Sequence, residues 1–140
     1  MILTEKNKDL FTVDKSYYLA HCCASDLRLG AGIAVPMQKK FNLRGKINNS
    51  GESLEHPTCV LTGRVFNLIT KKRSSGKPTE QSLEFAIIAM KDIAEKEGIT
   101  KIAMPKIGCG LDQLSWPRVR RILNDVFQDT PIEILVCVWR

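Results

Sequence analysis

The sequence predicts an α/β layer fold with a mixed sheet. Apolar runs of strand length alternate with patterns of helical period, which is the signature of helices packed on a sheet. Two adjacent runs are separated by a gap of hairpin size, so part of the sheet is antiparallel. Two other runs stop at glycine-rich loops, and in α/β sheets ligands collect at the carboxyl ends of strands.

The first run is Tyr17-Tyr-Leu-Ala-His-Cys-Cys23. It leads to the glycine loop Arg28-Leu-Gly-Ala-Gly-Ile-Ala34 and then to Val35-Pro-Met-Gln-Lys-Lys-Phe41, read as a helix. Strand, glycine turn and helix is the usual order for seating a diphosphate at a helix N-terminus. The spacing is Gly-x-Gly alone, without the third glycine of the dinucleotide fingerprint. Taken alone it is a weak signal, and a tight turn packed on a helix is the simpler reading. The polar stretch from Asn42 to Pro57 reads as a surface loop or a short helix, and no function is attached to it.

Thr58–Leu61 and Arg64–Thr70 read as strands of a hairpin joined through Thr62-Gly63. A helix opens at Thr79, after Pro78, and runs to about Lys96. Leu83, Ala86, Ile87, Met90 and Ala94 form its apolar stripe, and Gly98 is its C-terminal stop. Lys101–Pro105 is a strand that runs into the second glycine loop. Val119, Ile122, Leu123, Val126 and Phe127 mark another amphipathic helix, with Pro117 in its first turn and Ser115 as N-cap. Ile132–Val138 closes the chain as a buried strand.

With 140 residues, one domain spanning 1–140 is expected. Neither the hydrophobic fraction of 44% nor the charged fraction of 26% departs from the soluble globular norm. No apolar run approaches the roughly 18 residues of a membrane span, and the first residues lack a secretory apolar region. An intracellular protein, cytoplasmic or nuclear, without a membrane partner is the expectation. Five cysteines, none in Cys-x-x-Cys spacing, argue against a disulfide framework. His21, Cys22 and Cys23 with His56 and Cys59 match no standard zinc module, so no metal is expected. The net charge of +6 fits a solvated basic face or an anionic ligand.

The second loop, Met104-Pro-Lys-Ile-Gly-Cys-Gly-Leu-Asp112, is the most informative stretch. Its glycines allow backbone N–H groups to approach a phosphate, and Asp112 follows at the lip. Asp112 is a candidate general base or ribose ligand, with a turn or capping role as the alternative. Cys109, wedged between glycines, reads as a small residue that fits rather than a nucleophile. Lys71 ends a strand beside Lys72, Arg73 and Lys77. Neighbouring cations disfavour protonating any one amine, which makes Lys71 a candidate nucleophile. Pairing with phosphate or solvent is the alternative. Asp9 is a candidate acceptor for an adenine amino group or a routine turn residue.

Lys8-Asp-Leu-Phe11, Leu19-Ala-His-Cys22, Arg28–Val35, Leu68-Ile-Thr-Lys-Lys-Arg73 with Lys77-Pro-Thr79, and Lys106–Asp112 occur in one order. Together they resemble the macrodomain superfamily, in the branch of the terminal ADP-ribose protein glycohydrolase. The resemblance implies a three-layer α/β/α fold that binds ADP-ribose and needs no cofactor. It implies that Asp9, with Leu10 beside it, meets adenine. It also implies that Gly30, Ala31, Gly32, Ile33 and Ala34, with Ile107, Gly108, Cys109, Gly110 and Leu111, embrace the diphosphate and distal ribose. His21 and Thr70 join the ligand-binding set on the same ground. Lys71 is implied as the nucleophile at the anomeric carbon, releasing mono-ADP-ribose from an acidic side chain, with Asp112 resolving the adduct. ADP-ribosylated DNA is the alternative substrate, and a non-catalytic reader the alternative class. Deacetylase activity on O-acetyl-ADP-ribose and phosphatase activity on ADP-ribose-1″-phosphate fit the same pocket, and a monomer is expected. The asparagine-rich stretch of many macrodomains is absent here, and Cys23-Ala-Ser-Asp26 stands in its place. Ala24 replaces an expected polar residue. Trp139 is open to stacking on adenine or to burial in the core.

Overall fold

The computed structural model describes residues 1–138. Six strands form one sheet: β1 (Ile2–Asn7), β2 (Tyr18–Ala24), β3 (Thr58–Thr62), β4 (Val65–Lys71), β5 (Lys101–Met104) and β6 (Glu133–Val138). Their spatial order is β1-β6-β5-β2-β4-β3. All neighbours run parallel except β3, which pairs antiparallel with β4 through a turn at Gly63–Arg64. The mixed sheet, the hairpin and the four central strands read from sequence are all present. β1 is an addition, an edge strand whose side chains are almost all exposed and which therefore lacks a strong alternating pattern.

Four helices cover the sheet: α1 (Ala34–Phe41), α2 (Leu43–Ser50), α3 (Glu80–Glu97) and α4 (Trp116–Phe127). Strand side chains alternate between the faces. Ala20, Phe66, Leu68, Ile102, Met104, Ile134 and Val136 point to one side, where Leu83, Ile87 and Met90 of α3 and Val119, Leu123 and Phe127 of α4 meet them. Leu19, Cys23, Val65, Ile69, Ala103 and Leu135 point to the other, against Met37 of α1 and Leu43 and Ile47 of α2. The result is the three-layer α/β/α architecture. α2 occupies part of the segment left open between a loop and a short helix.

Both longer helices begin where expected. Thr79 caps α3 by accepting from the Ser82 amide at 2.9 Å, while the Ser82 hydroxyl accepts from the Thr79 amide at 3.0 Å. This reciprocal box satisfies two otherwise orphaned donors. Ser115 holds the N-cap position of α4, but its side chain makes no capping bond, so Pro117 in the first turn carries more of that boundary. All five cysteines are free thiols. Among the described residues, no helix is long and apolar enough to cross a membrane.

Candidate active site

The carboxyl ends of β5, β2 and β4 lie side by side, because those strands are parallel neighbours. Three connections leave from this edge: the loop before α1, the loop after β5, and the strap from Lys72 to Thr79 that joins β4 to α3. They enclose a cleft of about 870 Å³, a volume suited to a small-molecule or cofactor-sized ligand. Gly30–Ala34 forms one wall, Pro105–Gly108 and Gly110–Asp112 another, Ser74–Lys77 the rim, and Cys22–Ala24 the floor. Arg28, Lys71, Lys77 and Lys106 line it against the single carboxylate of Asp112. That balance favours an anionic occupant.

The backbone explains why glycine is needed in both loops. Gly32 has φ +60° and Gly108 has φ +74°, conformations that L side chains avoid. A Cβ at Gly108 would also stand 3.0 Å from a Leu83 methyl and 3.1 Å from one of Leu114. A Cβ at Gly32 would stand 3.4 Å from a Leu111 methyl, so the loops nearly touch across the cleft. The first loop also contains Leu27 and Leu29 at φ +53° and +52°. Such conformations are costly for leucine and persist only where surroundings over-determine them. Both leucines are buried. Arg44 of α2 donates from Nε to the Leu27 carbonyl at 2.8 Å and from its terminal nitrogen to that of Arg28. The segment with no assigned function thus props the first glycine loop.

Lys71 and Asp112, 41 residues apart in sequence, meet at the cleft. Lys71 Nζ donates to Asp112 Oδ1 at 2.7 Å and to the Gly76 carbonyl at 3.2 Å. Each side chain is 15% exposed. A β-bulge sets this up. Cys23 pairs with Ile69 but Ala24 pairs with Lys71, so Thr70 is the extra residue in β4. A bulge re-aims the side chain that follows it, here toward the cleft. The neighbour that reaches Nζ is a carboxylate. Lys72 and Arg73, the cations invoked from sequence, are exposed on the strap instead.

The strap is tied at three points. Asp26 accepts from the Ser74 amide at 2.8 Å, the Ser74 hydroxyl at 2.6 Å and the Arg28 amide at 3.1 Å. Desolvation acts to raise the exposed Asp26 carboxyl, but the bonds from Ser74 and Arg28 outweigh it and hold the group below the ordinary value. Gly76 receives Lys71, and Lys77 donates to the Leu111 carbonyl. Asp26, Arg44, Ser74, Gly76 and Lys77 were not singled out as site residues from sequence. Two had a visible signal: Asp26, as an acid closing the segment that replaces the asparagine-rich stretch, and Lys77, as one of the cations following Lys71.

Gly30–Ala34, Lys71, Ile107, Gly108, Gly110, Leu111 and Asp112 are brought together in the cleft wall. The other expected residues stand elsewhere. His21 is completely buried, and its Nε2 lies 2.7 Å from Asn67 Oδ1. The Asn67 amide nitrogen donates to the Val60 carbonyl and to Thr62 Oγ1, so Oδ1 is the acceptor and His21 Nε2 carries the proton. Burial pushes the His21 pKa down to about 4, only partly offset by that bond. His21 is a neutral core residue, part of neither the cleft nor a cysteine cluster. Thr70 is buried behind the bulge. Cys109 turns toward the α3/α4 core with its Sγ donating to the Ile107 carbonyl, and burial raises its thiol. Burial also raises Cys22 and takes Cys23 to about 12. Protonated thiols of this kind are poor nucleophiles. Asp9 caps a short 3-10 turn, Leu10–Thr12, by accepting from the Phe11 amide, and Leu10 is buried. Both follow the carboxyl end of β1, outside the cleft wall. Trp139 lies outside the described residues.

Comparison with known proteins places this architecture. A family model for the Macro domain matches residues 20–123. The chain belongs to the macro domain family. The human protein named ADP-ribose glycohydrolase OARD1 is 43% identical over 136 residues, covering 96% of this macro domain and 90% of the relative. The bovine protein of that name matches equally. Among solved structures, the macrodomain of Thermus aquaticus DarG superimposes with a TM-score of 0.80 at 17% identity, covering 99% of this chain and 98% of that one. DarTG of Thermosipho africanus in complex with ADP-ribose gives 0.78 at 17% identity, covering 98% and 41%. At such identities these structures speak to the fold of this macro domain alone.

Proposed function

We propose that this macro domain binds ADP-ribose and is an ADP-ribosyl glycohydrolase that releases mono-ADP-ribose from acidic side chains of proteins. The observation that carries the reading is the contact of Lys71 Nζ with Asp112 Oδ1 at 2.7 Å, at the edge of a cleft walled by two glycine loops. The high identity to proteins named ADP-ribose glycohydrolase, over nearly their whole length, supports the same reaction.

The order of strands suggests how the ligand lies. From β1 to β4 the carboxyl ends succeed one another as β1, β6, β5, β2, β4, four intervals of about 4.8 Å each. Asp9 and Leu10 stand at the first end, the glycine loops at the third and fourth, and Lys71 at the fifth. An extended ligand with its base at Asp9 and its diphosphate between the loops presents its distal ribose to Lys71. In this reading His21 and Thr70 support the binding strands from within the sheet and do not touch the ADP-ribose.

Asp112 takes a proton from the Lys71 ammonium and passes it to solvent. Lys71 Nζ then bonds to the anomeric carbon of the distal ribose. The bond from that carbon to the modified carboxylate breaks, and its electron pair leaves with the carboxylate. Asp112 deprotonates a water, which displaces Nζ and completes free ADP-ribose. The loop amides and the surrounding cations hold the diphosphate throughout, so the reacting carbon is positioned rather than captured by diffusion. The O-acetyl and 1″-phosphate esters of ADP-ribose are further substrates that the same cleft would admit.

The test is release of ADP-ribose from a glutamate-ADP-ribosylated protein. Wild type is expected to turn over and Lys71→Ala to fall to background while still binding ADP-ribose. Equal release by both would refute the lysine mechanism. Binding without release would make the chain a reader, and release from ADP-ribosylated DNA alone would reassign the substrate.

A further inference from the structure

Lys71 borders two clefts. Gly76 and Lys77 of the strap line both, so the strap is the wall between them. The second cleft, about 340 Å³, lies on the α3 side. Besides Lys71, the residues Lys72, Arg73 and Lys77 bring three cations to it, and among its described lining residues there is no carboxylate. Thr79 and Ser82 bring the first turn of α3, an 18-residue helix whose N-terminus carries partial positive charge. Glu80, the acid of that turn, pairs with Arg118 at 3.4 Å.

Thr70 provides an independent sign. It is 1% exposed, lines this second cleft, and its hydroxyl has no partner among the described residues. A buried hydroxyl without a partner is costly, and one lining a cationic cleft is explained by a ligand or water that reaches it. The bulge in β4 therefore has two consequences. It turns Lys71 to the first cleft and sets Thr70 against the second.

We propose that the second cleft is the subsite for the protein side of the substrate, taking a carboxylate-rich segment next to the modified residue. This rests on the glycohydrolase reading. The strap beside Lys71 has the first cleft on one side and the second on the other, so a polypeptide attached at the anomeric centre can run across it into the second. Carboxylates suit its composition: lysine and arginine donors and the unpartnered Thr70 hydroxyl within a small volume. Nucleic acid fits less well. Among the described lining residues only His56 carries a ring on which a base can stack, and three cations in so small a space do not make a phosphate track.

Binding measurements with the whole chain test this. Two peptides carry ADP-ribose through a hydrolysis-resistant amide link, one flanked by glutamates and the other by glutamines. Wild type is expected to bind the acidic peptide about tenfold more tightly, the combined size of two exposed ion pairs, and raised salt should erase the difference. In the double variant Lys72→Gln/Arg73→Gln the preference should vanish while affinity for free ADP-ribose stays the same. Equal binding of both peptides by wild type would overturn the proposal, as would a preference that survives in the variant. Tighter capture of an ADP-ribosylated oligonucleotide than of the acidic peptide would overturn it too. Failure of wild type to bind free ADP-ribose would refute the functional reading itself, and the subsite with it.

Discussion

His21 makes stability depend on pH in a defined window. Its imidazole is fully buried and donates from Nε2 to Asn67, while Nδ1 has no partner among the described residues. Protonating Nδ1 would place a charge in the sheet core without a counter-charge, and burial accordingly takes the folded pKa from 6.5 to about 4. The unfolded chain takes up this proton below about 6.5, whereas the folded chain resists until about 4. Between those values the unfolded state binds more protons, so the contribution of His21 is complete above 6.5 and is lost as pH falls toward 4. At about 1.4 kcal/mol per tenfold change in proton affinity, the loss is roughly 3 kcal/mol. His21→Gln keeps a donor for Asn67 and does not titrate. Urea unfolding of both proteins from pH 7.5 to 4.5 isolates the effect, because every other titrating group cancels in the difference. The wild-type advantage at pH 7.5 should shrink by nearly that amount by pH 4.5, most steeply near pH 5. A constant gap would refute the reasoning. ADP-ribose affinity at pH 7.5 should be unchanged in the variant, and a loss of about tenfold, or 1.4 kcal/mol, would return His21 to the ligand.

Asp112→Asn removes the proton acceptor at Lys71 while keeping its shape. Turnover should fall about 10²–10⁴-fold with ADP-ribose affinity retained, as read by kcat and by calorimetry. Gly108→Ala forces a Cβ onto a φ of +74° and within 3.1 Å of Leu83 and Leu114. It should destabilise the fold by about 1–3 kcal/mol in denaturant titration. Arg44→Ala releases the Leu27 and Arg28 carbonyls. Calorimetry should show ADP-ribose affinity reduced about tenfold, the equivalent of one hydrogen bond to a charged donor.

The central sheet and its two large helices were legible because their apolar periods are strong and their ends are punctuated by Thr79, Gly98 and Pro117. β1 was not, because an exposed edge strand shows its nature only through pairing with β6. α2 has a weak signal: Leu43 and Ile47 are one helical turn apart and buried, but Gly45 and two asparagines dilute the pattern. Asn42 at φ +49°, a conformation asparagine tolerates, breaks α1 from α2. At the site, glycine composition pointed to both loops. The meeting of Lys71 with Asp112 did not follow from local sequence, because it depends on which strand ends become neighbours and on the bulge at Thr70. His21 was drawn into the ligand set by its motif. Only the three-dimensional structure reveals that its ring is spent on Asn67.

The tethers around the cleft bear on why its geometry holds. The first glycine loop contains two leucines in a strained conformation, and the strap spans six residues between β4 and Pro78 with no regular structure of its own. Neither would keep a fixed shape unaided. Yet Asp26 joins the start of the loop to Ser74 of the strap, Arg44 joins α2 to the loop, and Lys77 joins the strap to Leu111. Ser25 adds a bond from its hydroxyl to the Leu54 carbonyl at 2.6 Å. Each tether links segments far apart in sequence, and each ends on a rigid element or on another tethered loop. Lys71 Nζ lies where they converge, held between Gly76 of the strap and Asp112 of the second loop. Under the proposed lysine mechanism, an amine fixed from two sides before ligand arrives loses little further freedom on reaching its transition state. The strain at Leu27 and Leu29 is then the local cost of a preorganised cleft, offset by hydrogen bonds that the sequence places up to 48 residues away.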